Sequence, residues 1–233
     1  MPDVGRILSA SAPLTLASVA RGSQPLVMAD LARAAKGRAV FVAADDAAMR
    51  AVAEAPQFFA PELDVIEFPA WDCLPYDRAS PALSVSARRL SALYRLQAAR
   101  KGPQLLVTTI NAALQRVQTP FRIRESVREL KPGMEIGRES LIGLLQRQGY
   151  SRTDTVADAG EYAVRGSIFD IFPSGLEAGL RLDFFGDELE TLRLFDPNTQ
   201  RSTGVLDSHL LLPASEAQHD EDTVKRFRSR YRE

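Results

Sequence analysis

Arg181, Asp183 and Phe185 fall on one side of the run GLRLDFFGDELETLRLF, and Leu180, Leu182 and Phe184 fall on the other. A period of two gives an extended strand one apolar face and one face that carries a guanidinium, a carboxylate and a ring. Side chains of this kind recognise surfaces. A flat guanidinium offers fixed donors, and an aromatic ring buries area at modest entropic cost. Gly186-Asp187 has turn chemistry, and on the return strand Leu192 and Leu194 alternate with Arg193 and Phe195. An earlier strand, Tyr162 to Phe172, carries Arg165 beside Gly166 and stops at Pro173, which has no backbone donor to continue a ladder. Arg165, Arg181 and Phe185 are therefore the candidate partner-binding residues. The alternative is that Phe185 packs at a hairpin end while both arginines pair with Asp183, Asp187 or Glu188.

Bond-breaking chemistry finds less support. Asp207, Ser208 and His209 are adjacent in sequence, but a nucleophile, base and orienter must converge in space, which adjacency does not supply. Glu161, Asp170 and Asp183 are candidate acids, and nothing in the sequence marks a pocket that would pair two of them; they are expected to pair with the arginines of the sheet. One cysteine, Cys73, excludes an intrachain disulfide, and His209 and His219 are too few for a zinc cluster. Cys73 is expected to pack beside Trp71 and Leu74. No catalytic residue, cofactor site or metal site is assigned.

Nearer the N-terminus, Leu14 to Val19, Ala39 to Ala43, Val65 to Phe68 and Leu105 to Thr108 are short apolar runs suited to buried parallel strands. Leu26 to Ala35, Ala47 to Phe59, Ser84 to Leu96 and Asn111 to Arg116 suit helices between them, giving an open α/β sheet. Such sheets hold nucleotide phosphates at the first strand-to-helix turn. Here that turn reads Val19-Ala20-Arg21-Gly22-Ser23-Gln24-Pro25, without the lysine and hydroxyl of a G-x-x-x-x-G-K-S/T loop. Lys36 lies at the far end of the following helix. Asp45-Asp46 reads as a helix N-cap rather than a magnesium pair. The first domain, residues 1–125, is thus expected to be a degenerate P-loop-NTPase-like open sheet.

Further on, Lys131-Pro132-Gly133 is a turn, Gly137-Arg138-Glu139-Ser140 leads into an apolar-periodic helix, and Gly149 ends it. A smaller α+β domain with an antiparallel sheet is placed at residues 126–213, its helix on the inner face and its Arg181 face open. Residues 214–233 read as a linker and the start of a helix of a truncated following domain. There Val224, Phe227 and Tyr231 have helical spacing within the basic run Lys225 to Arg232, after Asp220, Glu221 and Asp222. That run is the one place for a local DNA contact, because a net charge of -1 argues against binding over the whole surface. With 45% hydrophobic and 25% charged residues the chain is an ordinary globular one. No apolar run approaches the roughly 18 residues needed to span a bilayer, so no membrane partner is expected and the cytoplasm is the default.

The run GEYAVRGSIFDIFPSGLEAGLRLDFFGDELETLRLF resembles the interaction domain shared by bacterial transcription-repair coupling factors and the excinuclease protein UvrB. An EYAxRG strand, an FP stop and an RLDFF hairpin carry that likeness. Upstream, Trp71, Leu74, Pro75, Tyr76, Ser80, Pro81, Arg89 and Leu90 match the coupling-factor family in spacing. The resemblance implies a noncatalytic N-terminal fragment whose first domain has lost its nucleotide site. Its second domain would bind the excinuclease protein UvrA through Arg165, Arg181 and Phe185, imitating UvrB. In that family ATP, magnesium, RNA polymerase and DNA are served by regions outside these residues. A DNA-binding accessory module using the basic terminal helix, or one component of an ATP-dependent helicase, are the alternatives.

Overall fold

The structure is a computed structural model that describes residues 3–35, 37–74, 80–217, 223–225 and 228–229. It divides into two compact units, one formed by Met1–Asp72 with Ala92–Val117 and the other by Cys73–Ser91 with Gln118–Glu233. The units are interleaved in sequence and do not follow one another as 1–125 and 126–213. Residues 73–91 and 118–125 belong to the second.

The first unit begins with the short helix α1 (Val4–Leu8) and the longer α2 (Gln24–Ala34), with Pro25 in its first turn where the missing donor costs nothing. Then come β1 (Arg38–Ala43), α3 (Asp46–Glu54), α4 (Pro56–Phe59), β2 (Asp64–Phe68), the part from Ala92 of α5 (Leu83–Gln97), whose residues 83–91 belong to the second unit, β3 (Gln104–Thr109) and α6 (Ile110–Leu114). The Asp45 side chain accepts from Ala48 N at 2.8 Å, so this acid is an N-cap as its position before the helix suggests. The helix expected over Ala47 to Phe59 is broken in two, because Pro56 cannot donate the bond that would continue α3. The strands form a three-stranded parallel sheet in the order β1-β3-β2. Leu105 and Val107 of the central strand are fully buried on the side of α2 and α3, with Ala29, Ala32, Met49 and Val52. On the other side Ile66 and Phe68 pack with Ala92 and Ala112.

No strand forms over Leu14 to Val19. Leu14 and Leu16 are exposed and Ser18 has φ 60°, which breaks an extended run, and an apolar stretch without a ladder partner does not become a strand by composition alone. Among the described residues, no helix is long and apolar enough to cross a membrane, and no group of His, Cys, Asp and Glu could hold a metal ion.

The second unit continues with α7 (Pro120–Ser126), β4 (Arg128–Leu130), β5 (Met134–Glu135), α8 (Arg138–Arg147), β6 (Ser151–Arg152), β7 (Glu161–Arg165), β8 (Ile168–Ile171), β9 (Gly179–Phe185), β10 (Glu188–Phe195), β11 (Ser202–Val205) and β12 (His209–Leu211). A seven-stranded sheet runs β11-β10-β9-β8-β7-β6, with β5 pairing to β10, while β12 and β4 make a separate pair. Its β7 to β11 ladder is antiparallel throughout. The single strand expected from Tyr162 to Phe172 is a hairpin, β7 to β8, turned at Gly166-Ser167. Gly166 has φ 61° and Gly186 of the next hairpin 64°, the positive values that a two-residue turn needs at its first central position.

One face of this sheet is the core. Leu141 and Leu145 of α8 meet Tyr162, Phe169, Ile171, Leu180, Leu182, Leu189 and Leu192, all fully buried. Each such leucine contributes about 1.5–3 kcal/mol through removal from water. The unit extends past Pro213: Ala214 is fully buried in the same core, its N–H bonds Gln148 O at 3.0 Å, and Glu216 pairs with the buried Arg89 at 2.6 Å. Residues 214–216 are thus part of the domain and not of a linker. The basic terminal run, with Asp220 to Asp222, Phe227 and Tyr231, lies mostly outside the described residues, as do Lys36, Pro75, Tyr76 and His219.

Candidate docking face

Strand register decides which side chains share the outer face of the sheet. Opposite positions run Ala163, Asp170, Arg181 and Arg193 across β7 to β10, and Val205 of β11 extends the row. One row nearer the turns lie Arg165, Ile168, Asp183 and Thr191. Phe185 and Glu188 close the β9 to β10 hairpin. All three candidate residues are therefore on one face, and Arg165 and Phe185 flank turns at the same end of the sheet. With strands about 4.8 Å apart and about 3.4 Å per residue, their Cα atoms are separated by roughly 12 Å.

Their environments differ sharply. Phe185 is 75% exposed. The Arg165 side chain is 48% exposed and that of Arg181 only 15%. Arg181 donates Nε to Asp170 Oδ1 at 2.7 Å and Nη2 to Asp170 Oδ2 at 2.9 Å, a two-pronged arrangement. Its Nη1 donates to the carbonyl of Gln200 at 3.1 Å, and its guanidinium lies 4.9 Å from the Phe195 ring centroid. The hydrogen bonds to Asp170 hold Arg181 more firmly protonated than a solvated arginine. Arg165 donates its Nη2 to the same Asp170 Oδ2. Asp170 itself is 1% exposed.

Two of the three candidate acids pair with arginines of the sheet as expected: Asp170 with Arg165 and Arg181, and Asp183 with Arg193 at 3.7 Å while it also accepts from Thr191 Oγ1 at 2.9 Å. Arg165 and Arg181 thus pair with Asp170 rather than with Asp183, Asp187 or Glu188. Glu161, the remaining acid, accepts the backbone N–H groups of Ala157 and Asp158 at 2.9 and 3.0 Å. The outer face is also not bare around Arg181. Phe195 covers that end of the outer face, fully buried with Val156 and Ala163 and against Phe172, and forms a small second core. The β10–β11 register shifts between Leu194 and Phe195, and on the other side Gly179 of β9 leaves room for the ring: a Cβ there would clash with it.

The open part of the face is thus its turn end and its β11 edge. It comprises Phe185, Arg165, the half-buried Ile168, Arg193, and Val205, which is 74% exposed. Arg193, Ile168 and Val205 escape a reading centred on single residues; the period-two pattern marks Arg193, while Ile168 and Val205 become neighbours only through pairing. Elsewhere, Leu74 is 73% exposed and Cys73 is half-buried. His209 lies in β12, and burial pushes its imidazole below the ordinary value.

A family model described as UvrB interaction domain matches residues 129–216, which contain α8 and the whole candidate face. The chain is 41% identical over 170 residues to a transcription-repair-coupling factor of Haemophilus influenzae, covering 73% of this chain and 15% of that protein. It is 37% identical over 169 residues to the Escherichia coli factor, covering 72% and 14%. With the Myxococcus xanthus factor it shares 35% identity over 199 residues, covering 82% and 16%. The chain spans about 15% of the length of these curated relatives.

Proposed function

Because this chain corresponds to the N-terminal region of the transcription-repair-coupling factors and carries a UvrB interaction domain, we propose that its antiparallel sheet is a docking module that binds the excinuclease protein UvrA. The observation that carries this reading is the exposure of Phe185, 75%, at the turn end of a sheet whose opposite face is a filled core. A ring held in water by a rigid hairpin, beside a half-exposed Arg165, is the composition of an interface hot spot. Arg181 contributes from beneath, as the partner of Asp170.

On this reading the chain recruits excision repair and carries no catalysis of its own. The parallel sheet of the first unit is a nucleotide-binding-like scaffold without a phosphate loop, which the absence of any G-x-x-x-x-G-K-S/T run from the sequence supports. Release of stalled RNA polymerase, ATP and magnesium use, and movement on DNA belong to other regions of the family's proteins. The setting is the cytoplasm.

Calorimetry with purified UvrA tests the proposal. Phe185→Ala is expected to weaken binding by about 2 kcal/mol, roughly thirtyfold, and Arg165→Ala by about tenfold, with circular dichroism unchanged. Binding indifferent to both substitutions would place the contact elsewhere.

A further inference from the structure

Asp170 is the least accessible polar group of the outer face, and it serves two arginines at once. It sits on β8 between Ala163 of β7 and Arg181 of β9. Oδ1 receives Arg181 Nε, and Oδ2 receives both Arg181 Nη2 and Arg165 Nη2. Two guanidinium groups on one carboxylate leave the trio with one net positive charge. Arg181 directs its remaining Nη1 to Gln200. Arg165 gives Asp170 one Nη2 and keeps the other donors of its five-donor fork for another acceptor.

An arginine on a solvated strand face ordinarily samples many rotamers, and ordering it on binding weakens affinity. Here a carboxylate that cannot move, fixed by Arg181 and by the Phe169 and Ile171 backbone around it, holds Arg165 in place beforehand. The turn that follows Arg165 is fixed from the other side of the sheet as well, since Arg138 of α8 donates to Gly166 O and lies 5.7 Å from the Phe169 ring centroid. We propose that Asp170 is a positioning residue for docking, a buried carboxylate that aims Arg165 at an acceptor on the partner. This inference rests on the docking role of the sheet.

A double-mutant cycle on the full chain, with UvrA as the probe, tests it. Asp170→Asn keeps the shape of the side chain and removes its charge. It is expected to weaken binding about tenfold. In that background Arg165→Ala should cost less than twofold, against about tenfold alone, because the aim it removes is already lost. Phe185→Ala should keep its full effect in the same background, which a general loosening of the sheet would not allow.

Losses from Asp170→Asn and Arg165→Ala that multiply, or binding of Asp170→Asn at wild-type strength, would overturn the proposal. If Asp170→Asn unfolds, the cycle is run with Asp170→Asn and Arg181→Met together, which removes both halves of the buried pair and leaves no stranded charge. The same two outcomes decide it there. Wild-type protein that fails to bind, or Phe185→Ala without effect, removes the docking reading and the proposal with it; multiplied losses with Phe185→Ala still damaging remove the Asp170 role alone.

Discussion

Replacing Arg181 by alanine should damage the fold before it damages any contact with a partner. The side chain is only 15% exposed, and it supplies two of the three hydrogen bonds that satisfy the buried Asp170. Removing one half of a buried ion pair costs about 3–5 kcal/mol when the other charge is left alone. Asp170 would retain Arg165, so a value of about 2–3 kcal/mol is appropriate. Loss of the cation–π contact with Phe195, 4.9 Å from the guanidinium, adds about 0.5–1 kcal/mol. The expected total is about 2.5–4 kcal/mol, confined to the second unit. Hydrogen exchange resolved to peptides of β8 and β9 reads this directly, because their slowest amides should exchange about 70-fold to 800-fold faster. A loss below about 1 kcal/mol would refute the view that Asp170 depends on Arg181. The functional consequence is direct: weakened docking by Arg181→Ala is not evidence of a lost contact, whereas weakened docking by Phe185→Ala is.

Gly179→Ala should destabilise the second unit by about 1–3 kcal/mol through overpacking, since the new Cβ would meet the Phe195 ring at 2.2 Å and the ring is boxed in by Val156 and Ala163; urea unfolding followed by far-ultraviolet circular dichroism measures it, and an unchanged midpoint would show that the ring has another place to go. His209 gives a pH dependence. Burial lowers its folded-state pKa below the unfolded value of about 6.5. The unfolded chain therefore binds the proton first, stability is complete above that value, and it falls as acid passes through the folded value. Thermal melts between pH 7 and pH 5 should show this slope, and His209→Gln should flatten it; equal slopes would remove His209 as the cause.

Local pattern was enough for the core face. Leu180, Leu182 and Phe184 alternate with polar neighbours, and all are buried as a period of two requires. Asp45 was legible as a cap because capping is a three-residue event. Asp170 was not legible as a hub. Its importance arises from Arg165 and Arg181 on the two flanking strands, and the only local sign was an acid set between Phe169 and Ile171 in a strand that otherwise buries every residue after the first. The hairpin at Gly166 was marked by Arg-Gly-Ser-Ile but hidden inside a continuous apolar run. Phe195 keeps the side that its alternation with Leu194 gives it, but its burial there depends on Val156, Ala163 and Gly179, which sequence spacing does not bring together. In the first unit, Leu14 to Val19 had strand composition and no neighbour to pair with. The outer limits of the docking domain failed for a similar reason: Ala214 and Glu216 join it through Gln148 and Arg89, residues far away in the chain.

On the proposed docking role, the outer face would work by short-range fit rather than by charge. At its paired positions Arg165, Arg181 and Arg193 stand against Asp170, Asp183 and Glu188, three of each sign, so no net field reaches beyond a Debye length of about 8–10 Å. The whole chain, at -1, adds none. Encounter with a partner is then unsteered, and affinity must reside in contacts made after arrival. That places the burden on groups that need little ordering. Arg165 is fixed by Asp170, the Gly166 turn by Arg138, and Phe185 by a two-residue hairpin with few ways to bend. If the face docks a partner as proposed, selectivity comes from these pre-ordered groups, with Arg181 drawn beneath the surface to hold the carboxylate that orders Arg165.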